Sequence, residues 1–179
     1  MARTPTPKRT RSRAAQTPVV AMLMGSDSDW PTFEQAAQAL KEFGIACDVH
    51  VLSAHRTPGE LLRYVEQAPR RGVKVFIAGA GGAAHLAGVI AAHTTSPVIG
   101  VPIETTLAGG LDSLLSTVQM PRGVPVATVA VGNAFNAALL AVQILAVHDA
   151  ALRQRLAAYK RRLSVKVLQA DHTLQTKRR

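Results

Sequence analysis

Three short segments of this chain gather the side chains that can do chemistry: GSDSDW (residues 25–30), SAHRTP (53–58) and GAGGAAH (79–85). His55 stands in a short polar loop, and an imidazole titrates near ~6.5, so it can give and take protons at neutral pH. The competing reading is a solvent-exposed loop histidine. Arg56 offers a planar fork for phosphate or carboxylate, or simply a surface ion pair. Ser26 and Ser28 carry hydroxyls beside the backbone N–H groups of a helix start, an arrangement that favours an anion. Asp29 can accept hydrogen bonds from two neighbouring sugar hydroxyls, or cap the helix that follows. His85, after the glycines, either meets a ligand or caps a helix. The glycines themselves let backbone come close to a flat ring.

Other chemistries lack their residues. His50, His93, His148 and His172 fit no metal-ligand spacing, and HExxH is absent. Neither a phosphate-binding GxxxxGK[ST] loop nor a GxSxG nucleophile elbow occurs. Cys47 is the single cysteine, so an intrachain disulfide and a cysteine-based zinc site are both excluded.

The elements that must position these loops follow from hydrophobic pattern. Short apolar runs at 18–25, 45–52, 73–80, 97–102 and 125–131 read as buried strands. Helical spacing covers 29–43, 58–72, 83–93, 110–119 and 133–147, and a last helix starts near Asp149 and enters the basic C-terminus. Strands alternating with helices imply parallel pairing through right-handed crossovers. The expected fold is a single-domain, flavodoxin-like, three-layer α/β/α doubly wound sheet. In such a sheet ligands bind beyond the carboxyl ends of the strands, and all three polar loops fall at that edge.

Composition agrees. Apolar residues make up 47% and aromatics only 4% of 179 residues, which suits small aliphatic side chains on a buried parallel sheet. The net charge of +10 is carried by the ends: residues 1–18 hold +5, residues 153–179 hold +8, and the middle is −3. Tyr159 is the one aromatic residue among the terminal charges, short of the interleaved aromatics a single-strand binder would favour, so specific nucleic-acid binding is not expected. No apolar run approaches a membrane span. The expected organisation is a disordered basic N-terminal tail (1–18), a catalytic domain with its C-terminal helix (19–165) and a basic C-terminal tail (166–179).

One competing pattern is Gly79-x-Gly81-x-x-Ala84 between a strand and a helix, with Glu104 twenty residues after Ala84. It imitates a dinucleotide-binding fingerprint, though it starts at the third strand and leaves the other two loops without a use.

Taken together and in order, GSDSDW, SAHRTP and GAGGAAHLAG resemble the N5-carboxyaminoimidazole ribonucleotide mutases, the class I PurE family. So do GVPIETTLAGGLDSLLSTVQMPRGVPVATVAVG and NAALLAVQIL, and the likeness covers residues 19–149. The resemblance implies a flavodoxin-like, cytoplasmic homo-octamer in IMP biosynthesis. It would be an isomerase converting N5-carboxyaminoimidazole ribonucleotide to 4-carboxy-5-aminoimidazole ribonucleotide without metal or cofactor, on substrate supplied by an ATP-dependent synthetase. It makes His55 the general acid and base. It assigns Ser26, Ser53 and Arg56 to the 5′-phosphate or neighbouring groups and Asp29 to the ribose. It sets Gly81, Gly82, Ala83 and His85 around the base and the migrating carboxylate. Class II relatives, lyase-like carboxylases that use CO2 directly, are the alternative; they usually carry Lys where Arg56 stands and lack the histidine of the glycine loop. This chain departs from many members at Ala87, where they have Pro, and in a shorter stretch at 131–140.

Overall fold

Five apolar segments pair side by side into one parallel sheet: β1 (Val20–Met24), β2 (Cys47–Val51), β3 (Val75–Ala80), β4 (Val98–Pro102) and β5 (Ala127–Thr128). The computed structural model describes residues 17–178, so nearly all of the expected N-terminal tail lies outside the described residues. Strand order is β2-β1-β3-β4-β5, every pair parallel. This is the doubly wound flavodoxin-like order, as expected, and its switch point lies between β1 and β3.

Side-chain alternation divides the core. Val20, Met22 and Met24 of β1 face one layer with α1 (Trp30–Glu42) and α5 (Ala134–Ala146); Ala21 and Leu23 face the other, with α2 (Pro58–Gln67) and α3 (Leu86–Ala92). Complete burial of each large aliphatic side chain contributes about 1.5–3 kcal/mol. Alanines at 134, 137, 138 and 141 are fully buried and let α5 lie close to α1 and the sheet. Gly79 lies where no side chain fits, because a Cβ there would collide with the Phe33 ring of α1.

Element ends differ from expectation where a proline or a cap intervenes. The helix expected over 58–72 stops at Gln67, and Pro69 opens a separate 3-10 turn closed by Gly72 at φ +107°. β5 has two residues rather than seven: Val129 N–H still bonds Gly100 O (3.0 Å), but the next ladder bond needs an N–H from position 102, which is proline. α3 begins at Leu86 rather than residue 83. α4 (Leu111–Val118) and α6 (Ala150–Lys177) complete the chain. Asp149 caps α6 by accepting the Leu152 N–H at 2.9 Å, and the helix runs through residues 166–177, exposed over that stretch. No helix among the described residues is long and apolar enough to cross a membrane.

Candidate active site

The loops after β1, β2 and β3 meet at the switch point. They line a cleft of about 430 Å³ bounded by Gly25, Ser26, Asp29, Ser53, His55, Arg56, Gly81 and Ala83 among others. That volume lies in the range of small-ligand sites, roughly 300–1,000 Å³. A cleft of about 470 Å³ at the opposite sheet edge includes Lys74 and Arg155, but Arg155 is tied to Phe43 O at 2.7 Å and Asp149 is used as a cap.

After β1 the chain turns sharply. The Ser26 hydroxyl accepts the Ser28 N–H (3.3 Å), and the Asp29 carboxylate accepts the Ser26 N–H (3.2 Å), a reciprocal capping box around a 3-10 turn at Asp27–Asp29. α1 then starts at Trp30. Asp29 therefore closes the turn behind it and gives α1 no side-chain cap. Its side chain is buried. Burial raises its carboxyl pKa and Asp27 adds to this, against the Ser26 hydrogen bond and the Arg56 charge.

After β2, Ser53 organises the second loop. Its Oγ accepts the N–H groups of His55 (3.3 Å) and Arg56 (3.2 Å) and the Arg56 Nε–H (3.4 Å). Ser53 Oγ is thus committed as an acceptor while its own O–H remains a donor for an anion. Arg56 also donates from Nη2 to Gly25 O at 2.6 Å, locking the second loop to the first. Both loops present donors to the same space.

The third loop brings in His85. Its Nδ1 lies 2.8 Å from His55 Nε2, with the rings nearly perpendicular (83°) and both residues exposed; His55 lines the cleft, and His85 stands behind it outside the lining. The helix-capping reading of His85 fails: it precedes α3 but makes no cap bond. At that distance one facing nitrogen donates a hydrogen bond and the other accepts it, the roles being set by the two tautomers.

Four residues of the loop's support carried no signal in our reading of the sequence. Gly82 donates its N–H to Ser113 Oγ (2.8 Å) and accepts from Ser116 Oγ (3.1 Å). Asp112 accepts from Thr105 Oγ1 (2.6 Å) and from the Ser113 N–H (2.8 Å), which lowers its pKa. The missed signal is an inverted helix. In α4 the buried residues are Ser113 and Thr117, while Leu111, Leu115 and Val118 are about half exposed. The dinucleotide reading loses its basis here: Gly79 is inside β3, the Gly82 amide is already bonded, and Glu104 faces solvent.

Comparison with known proteins agrees with this arrangement. The family profile described as AIR carboxylase matches residues 19–166. A protein named N5-carboxyaminoimidazole ribonucleotide mutase from Mycobacterium tuberculosis is 54% identical over 162 residues, covering 90% of this chain and 93% of that protein. A protein of the same name from Synechocystis is 51% identical, covering 88% and 90%. The crystal structure of Treponema denticola PurE superposes with a TM-score of 0.81 at 30% identity, over 88% of this chain and 98% of that one. With three polar loops joined at the switch point and a match over almost the whole sheet, this chain belongs to the AIR carboxylase family.

Proposed function

We propose that this protein is an isomerase of purine biosynthesis that converts N5-carboxyaminoimidazole ribonucleotide to 4-carboxy-5-aminoimidazole ribonucleotide. The observation that carries the reading is the His55–His85 contact (2.8 Å), set between an anion-favouring loop and a glycine wall. Close identity to proteins named for this reaction supports it.

The family resemblance implies the steps, with these residues in the roles. The Ser26–Asp29 turn, Ser53 and Arg56 supply donors for the 5′-phosphate, and Asp29 accepts from the ribose hydroxyls. Gly81, Gly82 and Ala83 present backbone to the imidazole ring. His55 protonates N5 as the carbamate C–N bond breaks; the bonding electrons stay on nitrogen and CO2 is released into the cleft. C4 then attacks that carbon, and His55 takes the C4 proton as the ring regains aromaticity. One proton enters and one leaves, so no redox partner, metal or cofactor is called for. An isolated CO2 is held only by walls, which is why closure against water matters.

The protein works as a homo-oligomer in this reading, an octamer in the cytoplasm downstream of an ATP-dependent synthetase. Support for assembly comes from α4, whose Leu111, Leu115 and Val118 form an exposed apolar row extended by Leu107. The test is conversion of 4-carboxy-5-aminoimidazole ribonucleotide in the reverse direction without metal or added bicarbonate, with His55→Asn alongside. Turnover by the wild type that drops about 100-fold or more in the variant supports the assignment. No turnover by folded wild type overturns it, and turnover that yields aminoimidazole ribonucleotide and CO2 directly, with no N5-carboxyaminoimidazole ribonucleotide formed first, indicates a CO2-dependent carboxylase instead.

A further inference from the structure

We propose that Ser113 and Ser116 are positioning residues that keep the glycine loop shut over released CO2; this rests on the mutase reading above. Gly82 is the left-handed residue of the loop (φ +64°), the position where a peptide can flip most easily. Its N–H is held by Ser113, and its C=O accepts from Ser116 Oγ as well as from the Ala84 N–H of its own loop (2.8 Å). Three residues apart, the two serines share a face of α4 and hold the peptide planes on either side of Gly82, so a flip of either plane breaks one of the two bonds.

The brace is itself fixed. Ser113 is fully buried. Asp112 ties the start of α4 to Thr105, and Thr105 Cγ2 would lie 3.3 Å from a Cβ on Gly81. Gly81 and Ala83 line the cleft, whereas Ser113 and Ser116 do not. The serines therefore act on the reaction through the loop.

The demand for such a brace comes from the intermediate. Once the C–N bond has broken, CO2 has no charge for Arg56 to hold and no covalent tether. Its fate depends on the shape of the wall: attack by C4 makes the carboxylated product, and escape leaves aminoimidazole ribonucleotide and free CO2. A loosened wall raises escape without weakening phosphate binding.

The experiment starts from 4-carboxy-5-aminoimidazole ribonucleotide in medium containing 13C-bicarbonate and carbonic anhydrase. It measures turnover and the 13C incorporated into recovered starting nucleotide per turnover, for full-length wild type, Ser113→Ala, Ser116→Ala and Ser116→Thr. Each alanine variant is expected to raise label incorporation roughly ten-fold and lower kcat roughly ten-fold, with KM within about three-fold. Ser116→Thr keeps the donor and restores low incorporation. Folded alanine variants with wild-type kcat and incorporation overturn the inference while leaving the mutase reading intact; an inactive wild type removes that reading instead. If Ser113→Ala does not fold, the partly exposed Ser116 pair of variants decides alone.

Discussion

His55 and His85, thirty residues apart in the chain, face each other across 2.8 Å, His55 lining the cleft and His85 behind it. The contact couples the two rings, so they are expected to act as a unit. His55→Asn is expected to reduce kcat/KM by about 100-fold or more and His85→Asn by less. The double variant should be no worse than His55→Asn alone, since residues acting as a unit are non-additive. Steady-state kinetics of all four proteins checks this; additive losses would mean that the rings act separately.

Arg56 joins two loops and lines the cleft. Lysine keeps the charge but cannot bond Gly25 O and Ser53 Oγ together. Arg56→Lys is expected to raise KM about ten-fold with a smaller change in kcat. An unchanged KM would remove Arg56 from phosphate binding.

Asp29 is a carboxyl group held in a buried position. Burial raises its carboxyl pKa in the folded state, so the fold binds its proton more tightly than the unfolded chain does. The resulting penalty is absent below the unfolded value, grows as pH rises through the window between the two values, and is complete above the folded one. Asp29→Asn is therefore expected to gain melting temperature relative to wild type as pH rises from 3 to 7, and to lose substrate affinity. Thermal unfolding against pH, with ligand titration, tests both; a variant less stable than wild type at pH 7 contradicts the first part.

A second cluster sits away from the site, at the β2 edge. Asp48 accepts from Tyr64 O–H at 2.8 Å, Arg71 stacks on the Tyr64 ring, and His50 Nε2 approaches Asp48 to 3.0 Å outside hydrogen-bond angles. Burial opposes ionisation of Asp48, but the Tyr64 bond and the His50 and Arg71 charges outweigh it and lower its pKa. That stabilisation is full above the ordinary carboxylate value and is lost as pH falls through the lower folded one. Tyr64→Phe is expected to cost about 1–2 kcal/mol at pH 7. Its deficit against wild type should shrink under acid; denaturant unfolding at pH 7 and pH 2.5 measures this, and a deficit that persists at pH 2.5 would be packing alone.

Much of this protein was determined by local sequence. Apolar runs bounded by Gly and Pro, alternating with helical spacing, specify a doubly wound sheet. Polar loops after the first three strands mark the site edge, because a buried parallel sheet has no other place for Ser53, His55 and Arg56. Pro69 and Pro102 also act locally, by withholding an N–H, though their effect on element length was not anticipated. Tertiary structure alone decided the rest. The approach of His85 to His55, the bond from Arg56 to Gly25 and the double hold of α4 on Gly82 each join residues about thirty positions apart. Only strand order and crossover packing bring such residues within reach. The α4 pattern is the clearest instance: by composition its leucines belong inside and its serines outside, yet Ser113 is buried and Ser116 half-buried against the Gly82 backbone. Backbone N–H and C=O groups away from water need partners, and only the packing of α4 on the glycine loop decides which side chains supply them.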